Sequence, residues 1–395
     1  MKRHPSIGEP LLPLLSGSWR TSPAPLELSA SDLERITPTL LAGGAGPLAW
    51  RRVRETPLRA APAGQTLRQA ARWHALRAAL REQELAAVLE WLGGRGIEPL
   101  LVKGWAAARL YPERGLRPYG DIDLCVPPEQ LAAARAALAE PGAPRAAVEI
   151  HAGCPWLPEW SWHELLRGSY RVTVGTSGFA TRLLADEDHL RLLCLHALAH
   201  GVWRPLWLCD IAAALEGSPR AFDWQRLLGG GRRRSDWVAC ALGLAHRLLG
   251  AEVTGTPVAE RAARLPRWLM PAVLRQWEAG PGASAGQWGR LAAALLRGRP
   301  GDIWAAARAR WRNPVQATVE AGAPFNELPR LPFQLIAAAR RAPSLAREVA
   351  HRARTGRGRT AVEVSDSLDP VLTPTPTRSV GVGVRTAQTA PEDIQ

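Results

Sequence analysis

Apolar side chains recur along this chain at two different spacings, and the change of spacing divides the chain into parts. Residues 65–92 place apolar residues three and four positions apart, which predicts one long helix ended by Gly93. From Asp186 onward the helical spacing returns. The predicted helices there are Asp186–Gly201, Pro205–Leu215, Ser235–Leu249 and Ala262–Glu278. The stretch between these regions has the short runs expected of a sheet.

Three short apolar runs alternate with two helical segments between residues 99 and 152. The predicted strands are Pro99–Val102, Asp121–Val126 and Ala147–Ala152, with weaker ones at Tyr170–Val174 and Phe179–Leu183. Helical patterns fill Gly104–Leu110 and Pro127–Ala139. Alternation of strand and helix predicts an α/β core with crossover connections.

The two ends of the chain differ in composition from the middle. The N-terminal end is rich in Pro, Gly and Ser, with one short helix predicted from Ser29 or Ser31. The C-terminal end combines Gly, Thr, Pro, Ser and Val without helical period. The predicted divisions are a loosely packed extension (1–62), a core (63–184), a helical domain (185–352) and a disordered tail (353–395).

Composition places the chain among globular proteins of the cytoplasm. Its apolar fraction is 46%, which excludes wholesale disorder. No apolar run reaches the roughly 18 residues needed to span a bilayer, and the N-terminus lacks a signal-peptide core. The five cysteines form no CxxC pair, as in proteins of a reducing compartment.

The charge is strongly positive but does not by itself identify a partner. A net charge of +14 comes from 48 arginines and only two lysines, Lys2 and Lys103. Arginine binds phosphate in a bidentate way, so a phosphate-bearing partner is compatible with this balance. The basic segments Arg232–Arg234 and 284–355 accompany no nucleic-acid recognition fold, so we predict a solvated basic face and do not expect nucleic acid as the partner.

Two aspartates in one predicted strand suggest a metal site. Because side chains alternate along a strand, Asp121 and Asp123 project to one side while Ile122 and Leu124 enter the core. Adjacent carboxylates repel each other unless a cation lies between them. Oxygen ligands on a rigid strand suit Mg²⁺, with Mn²⁺ as the alternative. The competing interpretation is an exposed strand face with two solvated acids.

Two further segments extend this site. Glu149 and His151 share one side of the next predicted strand, and Glu149 would join the aspartates if that strand is a neighbour. It could then share a metal and accept a proton from an attacking hydroxyl. At Lys103-Gly104 a strand gives way to a helix, where the backbone can approach phosphate, and Lys103 and Arg109 could add positive charge.

These motifs together resemble the uncharacterised nucleotidyltransferase family of the polymerase-β-like superfamily. The resemblance rests on motifs in order over roughly residues 65–250, beginning at Leu101-Val102-Lys103-Gly104 and Asp121-Ile122-Asp123-Leu124. The later motifs are Val148-Glu149-Ile150-His151, Leu195-His196-Ala197, His200-Gly201, Trp207-Leu208-Cys209-Asp210 and Phe222-Asp223-Trp224. The resemblance implies an α+β or α/β fold, with a small mixed-sheet core and a C-terminal all-helical domain that closes over the site.

The resemblance also implies a reaction. Asp121 and Asp123 would bind metal, Glu149 would complete the triad, and the Gly104 turn would hold the triphosphate of an NTP. An acceptor hydroxyl would attack the α-phosphate, and pyrophosphate would leave. Arg117, just before the aspartate strand, could pair with phosphate. The sequence indicates neither the acceptor nor an oligomeric state.

Two positions depart from the superfamily pattern. Trp105 stands where Gly or Ser usually follows the turn glycine, and it could crowd the phosphate. Gly120 stands where a serine commonly precedes the first aspartate. Neither change removes a metal ligand. A catalytically weakened accessory protein that binds nucleotide or peptide is therefore the alternative to the enzyme.

Three histidines share one face of the helix predicted from Asp186. His189, His196 and His200 lie at i, i+7 and i+11, and with Asp210 they could bind a transition metal. The favoured interpretation is a structural or substrate-facing role for His196, His200 and Asp210, because the family pattern includes them.

Overall fold

The structure is a computed structural model, and it describes residues 8–175, 178–219, 221–279, 300–301 and 311–355. The predicted disordered tail, from residue 353, lies outside these ranges apart from its first three residues.

Helices make up most of the described chain. The helices before the second half of the sheet are α1 (Gly8–Leu15), α2 (Ala30–Ala42), α3 (Gly46–Val53), α4 (Pro62–Gly93), α5 (Gly104–Ala108), α6 (Leu131–Ala139) and α7 (Trp162–Gly168), with short 3₁₀ turns at Pro57–Ala60 and Pro128–Gln130. The later helices are α8 (Asp186–Ala199), α9 (Pro205–Glu216), α10 (Trp224–Leu228), α11 (Arg232–Leu249), α12 (Ala259–Ala263), α13 (Leu269–Ala279), α14 (Pro314–Glu320) and α15 (Leu331–Thr355). Within the described ranges, every helix is too short or too polar to cross a bilayer.

The five predicted strands form one mixed sheet. They are β1 (Leu100–Val102), β2 (Ile122–Val126), β3 (Val148–Ala152), β4 (Tyr170–Thr173) and β5 (Ala180–Leu183), in the order β3-β2-β1-β5-β4. The β2–β3 and β1–β5 pairs are parallel, and the β1–β2 and β4–β5 pairs are antiparallel. The expectation of a small mixed sheet with a helical region is therefore confirmed.

The two faces of the sheet contact different hydrophobic cores. Ile122 and Leu124 of β2 pack with the second half of α4 and with α6. Cys125 of β2 and Val102 of β1 instead join the larger core built by the helices. Since Asp123 lies between Ile122 and Leu124, its side chain projects toward the helical body and not toward α4.

The N-terminal region differs from the loose extension that its composition predicts. Helices α1 to α3 carry fully buried leucines, such as Leu11, Leu33 and Leu48, in the same core as α8, α9 and α11. Pro and Gly content favoured loose packing, but burial of these leucines outweighs local propensity. The domain boundaries themselves remain predictions.

Helix α4 links the two cores. Leu67 near its start packs in the larger core, while Leu85 and Leu92 near its end pack under the sheet. Its middle turns leave Trp73 and Leu76 substantially exposed. Helix α4 therefore connects the core under the sheet to the core of the helical body.

A buried polar network joins the loop before β2 to α9. The guanidinium of Arg117 donates to both carboxylate oxygens of Asp210, with a closest distance of 2.8 Å from Nη2 to Oδ2. The Tyr111 hydroxyl donates to Oδ1 of Asp210 at 2.8 Å. Asp210 is fully buried, so its charge depends on these two partners. The network fixes the approach to β2 against the helical body.

Replacing Asp210 with alanine is expected to lower the free energy of unfolding by about 3–5 kcal/mol, because it leaves the Arg117 charge buried and unpaired. Urea denaturation followed by far-UV circular dichroism measures this change. Glu260→Ala is the control, since the Arg264–Glu260 pair is exposed and its loss should cost about 0.5 kcal/mol or less. Equal, small losses in both variants would contradict the role assigned to the network.

Candidate functional site

The parallel pairing of β2 with β3 brings acidic side chains together. Asp123 is in register with Glu149, and Cys125 with His151. One ligand atom from each of Asp123, Glu149 and His151 lies within 4.8 Å of the other two. The condition under which we expected Glu149 to join the aspartates, a neighbouring strand, is therefore met.

Asp121 takes a more exposed position than its partner aspartate. It lies just before the first residue of β2, is exposed as a whole residue although its carboxyl group is largely enclosed, and falls outside the group that holds Asp123 and Glu149. Its charge nevertheless acts on Glu149, whose pKa it helps to raise. Asp121 thus stands at the edge of the acidic cluster.

Lys103 supplies the positive charge closest to these acids. Its Nζ lies 2.5 Å from Oδ1 of Asp123 and 4.2 Å from the ring centroid of Trp156, over the ring face. Its backbone has φ +53° and ψ −128°, a conformation that side-chain-bearing residues rarely adopt. Such strain costs about 1–3 kcal/mol and is concentrated at functional sites. The ion pair and the Trp156 contact hold the residue there.

His151 completes the group from the same face of β3 as Glu149. Its Nε2 lies 3.4 Å from Oδ1 of Asp123 and 3.8 Å from Oε2 of Glu149. Its ring meets Trp156 edge-on at a centroid distance of 4.7 Å. Trp156 therefore contacts both the lysine and the histidine that border the carboxylates.

The three carboxylates have different acidities. Burial raises the pKa of Glu149, and the charges of Asp123 and Asp121 raise it further. Burial and then Asp123 raise the pKa of Asp121. Burial alone would also raise the pKa of Asp123, but the His151 hydrogen bond and the Lys103 ammonium outweigh it and lower the pKa. The repulsion among the three carboxylates therefore raises the pKa of Asp121 and of Glu149 but not that of Asp123.

This donor set fits a divalent cation that prefers oxygen. Two carboxylates on adjacent rigid strands converge within ligand reach, and a third stands beside them. Their mutual repulsion is the condition that a bound cation relieves. The Lys103 ammonium supplies part of the positive charge that relieves this repulsion. The sheet therefore holds Asp123 and Glu149 ready to act as ligands, with Asp121 at the rim.

The residues predicted to bind phosphate lie in three different places. The Gly104 backbone lies against Asp121, since a Cβ there would come 3.2 Å from the Asp121 carbonyl oxygen. Arg109, at the other end of α5, donates to the Tyr170 hydroxyl at 2.9 Å and is exposed. Arg117 is buried and bonded to Asp210. Only Lys103 and Gly104 are brought to the acidic cluster.

The two departures from the family pattern do not crowd the turn. The Trp105 side chain is buried in the sheet core, and its Nε1 donates to Oε1 of Glu82 on α4 at 3.2 Å. Gly120 has open space where a Cβ would project. Trp105 therefore serves to pack α5 against α4.

The family histidines continue the row of aromatic side chains away from the carboxylates. His196 lies 6.5 Å from Trp156 and 4.5 Å from His200 between ring centroids. Both histidines pack against Trp207, at 5.2 and 5.5 Å. The row runs from His151 through Trp156 to the start of α9. His196 and His200 thus border the region in front of the sheet.

The transition-metal alternative for the histidines finds no support in the described residues. There, the group that contains Asp123 is the one place where three potential ligands converge, and it does not include His189, His196 or His200. Asp210 is already bonded to Arg117 and Tyr111. Burial lowers the pKa of His189 to about 4, as expected of a neutral core histidine.

Sequence reasoning missed two residues beside this site. Trp156 was one of 17 tryptophans and carried no distinguishing signal. Arg204 was one of 48 arginines and lies outside the family motifs. Only its position directly before a helix that begins with proline set Arg204 apart. Both residues are brought to the site by loops whose course the sequence pattern does not specify.

Comparison with known proteins gives one match. The sequence profile described as uncharacterised nucleotidyltransferase matches residues 29–153 and 144–250, which together exceed half of the 395 residues. No curated protein and no solved structure matches the chain. The matched span begins at α2 and includes β1 to β5, Asp121, Asp123, Glu149 and the family histidines. On this match, and with the mixed sheet and acidic cluster described above, the chain belongs to the uncharacterised nucleotidyltransferase family.

Proposed function

We propose that the protein is a Mg²⁺-dependent nucleotidyltransferase that moves a nucleoside monophosphate from an NTP to a hydroxyl of an acceptor. The acceptor classes are a small molecule, a sugar, a peptide natural product or a protein. The observation that carries the proposal is the register of β2 with β3, which sets Asp123 opposite Glu149. A sheet whose only purpose was stability would not oppose two carboxylates there.

The carboxylates are proposed to hold the metal. Asp123 and Glu149 would be ligands from adjacent strands, and Asp121 would join from the rim. Mg²⁺ bound there would neutralise charge on the attacking and leaving oxygens, and Mn²⁺ could replace it. Lys103, 2.5 Å from Asp123, would be free to turn to a phosphate once that carboxylate has another cation.

The proposed reaction is a substitution at the α-phosphorus. The acceptor oxygen forms a bond to that phosphorus while the bond to the bridging α–β oxygen breaks, so pyrophosphate leaves. The hydroxyl proton passes to Glu149, whose raised pKa suits a general base better than that of an ordinary glutamate. The Lys103-Gly104 turn, next to Asp121, is proposed to approach the triphosphate.

One observation favours a second candidate, a nucleotide- or peptide-binding accessory protein without catalysis. Lys103 already pairs with Asp123 and is fixed over Trp156. If this ammonium remained in place, it would compete with a divalent cation for the carboxylate. The two candidates differ in whether divalent cations change nucleotide binding.

Isothermal titration of the four NTPs, with and without Mg²⁺, distinguishes the candidates. We expect Mg²⁺-dependent binding by the wild type, and affinity weakened at least about tenfold in Asp123→Asn, because a charged ligand of the metal is lost. Glu129→Gln is the matched control, since Glu129 is exposed just beyond the end of β2. NTP affinity that changes neither on removal of Mg²⁺ nor in Asp123→Asn would favour the accessory protein.

The reaction class is tested with two radiolabels in the same cell extract. We expect label from the α-phosphate to appear in an acceptor and label from the γ-phosphate to appear in pyrophosphate. Both signals should fall by at least about 100-fold in Glu149→Gln, as for removal of a general base. Transfer of the γ-label to an acceptor would instead indicate phosphoryl transfer and contradict the proposal.

Glu149→Gln should also stabilise the metal-free protein. Since the charges of Asp123 and Asp121 disfavour a third carboxylate, we expect the melting temperature to rise by about 1–2 °C at neutral pH. Differential scanning fluorimetry measures this change. Millimolar Mg²⁺ should raise the melting temperature of the wild type and of Glu129→Gln more than that of Glu149→Gln. A lower melting temperature without metal would contradict the repulsion described here.

A further inference from the structure

Arg204 differs from the other buried arginines of the described chain. Arg52, Arg191 and Arg330 each donate to a backbone carbonyl, at 2.7, 2.6 and 2.7 Å respectively. Arg117 has the carboxylate of Asp210. Arg204 is half-buried, and its Nε is shielded from solvent without an acceptor, as is the Nε of Arg52. Unlike Arg52, Arg204 has no hydrogen bond or ion pair to a described residue through its other nitrogens either. A buried donor without an acceptor calls for an explanation, and a missing ligand is one.

The surroundings of Arg204 are aromatic and backbone surfaces, which hold a guanidinium without neutralising it. Its Cζ lies 5.3 Å from the ring centroid of Trp203 and 5.9 Å from that of Trp207. Gly44, in the turn between α2 and α3, approaches so closely that a Cβ there would lie 3.0 Å from Nη2 of Arg204. Gly44 has φ +73°, which a glycine adopts without strain. The site thus fits the shape of Arg204 and, among the described residues, offers its guanidinium no hydrogen-bond acceptor.

The charges that reach Arg204 relate it to the candidate site. The charges of Arg117 and Asp210 act on Arg204 most strongly, and Asp121 is the one carboxylate of the acidic cluster whose charge also reaches it. Burial lowers the pKa of His196 and of His200, and the charges of Lys103 and Arg204 lower both slightly further. Arg204 borders the region in front of the sheet from the helical body, because it lies against Trp207, the ring that also contacts His196 and His200. The charge of Asp121 reaches it there.

The end of the site at Asp121 is the one that the proposed reaction assigns to the triphosphate. Glu149, the proposed base, must face the acceptor hydroxyl. Glu149 lies beside Asp123 on β3, whereas Asp121 and Gly104 lie along β2, toward its start. In the proposed reaction, a cation near the start of β2 would meet the leaving pyrophosphate. Guanidinium binds phosphate oxygens in a bidentate way, and its fork is little reorganised in doing so.

We propose that Arg204 is a binding residue for the β- and γ-phosphates of the NTP, and that it takes the role that sequence reasoning gave to Arg117. This assignment rests on the proposed function, because it names a contact within the same site. Trp203 and Trp207 orient the guanidinium, and the Gly44 turn closes its other side. Phosphate binding would give the buried charge the partner that it lacks in the free protein.

If Arg204 binds phosphate, its removal should stabilise the free protein and weaken ligand binding at the same time. Removal of a purely structural arginine would not have both effects. Arg204→Gln should raise the melting temperature of the free protein by about 1–3 °C, because an unpaired charge leaves a partly buried place. The same variant should weaken binding of Mg²⁺–NTP and of Mg²⁺–pyrophosphate by about 10–100-fold. Arg204→Lys should recover part of the affinity, since it keeps the charge but loses the fork.

Calorimetric titration of wild type, Arg204→Gln, Arg204→Lys and Arg264→Gln tests this. The probes are the NTP that binds the wild type, its nucleoside monophosphate, and pyrophosphate, all with Mg²⁺. Arg264→Gln is the control, because the side chain of Arg264 is 75% exposed. A loss confined to NTP and pyrophosphate, with the monophosphate changed less than about threefold, is the expected result.

Two results would overturn the assignment while leaving the proposed function intact. One is equal NTP affinity in wild type and Arg204→Gln, with binding still dependent on Asp123. The other is an equal loss for monophosphate and triphosphate, which would place Arg204 on the nucleoside or on the α-phosphate. A wild type that binds no NTP would instead overturn the proposed function itself, and the assignment of Arg204 with it.

Discussion

The concentration of negative charge where β2 meets β3 constrains the structure around it. Asp123 is almost completely buried, and Glu149 lies opposite it in the parallel register. Burial of like charges is unfavourable, so the surroundings must supply positive charge or a cation. Lys103 is held in a strained backbone conformation to reach Asp123, and His151 Nε2–H donates to the same carboxylate from β3. The pairing of β2 with β3 thus determines that the neighbouring loops must supply positive charge.

The helical body is built to face this charge. The Arg117–Asp210–Tyr111 network secures the loop that leads into β2 against α9, and that helix begins beside Trp203 and Arg204. Trp156 fills the space between Lys103 and the histidines of α8. Aromatic side chains suit this position because they exclude water and contact cations without neutralising them. The result is an acidic sheet face opposed by a cationic and aromatic helical face.

The acidic sheet face and the cationic helical face affect both the stability of the free protein and its proposed function. Burial, and then the charge of Asp123, raise the pKa values of Asp121 and Glu149, and the Lys103 ammonium offsets this only in part. Arg204 likewise has a pKa lowered to about 10, chiefly by burial. Carboxylates with raised pKa values thus border one region together with an arginine that has no hydrogen-bond acceptor among the described residues. The proposed Mg²⁺–NTP complex would supply positive charge to the former and negative charge to the latter.

The sequence by itself determined the sheet and the family. Alternation along Ile122–Val126 and Val148–Ala152 fixes which side chains share a face, because that depends only on local geometry. The roles of individual arginines were decided only by tertiary structure. Arg117 is buried against a residue far along the chain, whereas Arg204 is left unpaired by the course of two loops. In the same way, composition predicted a loose N-terminus, but the leucines of α1 to α3 are buried in the helical core. Charge partners and burial depend on contacts between distant segments, and no local pattern contains that information.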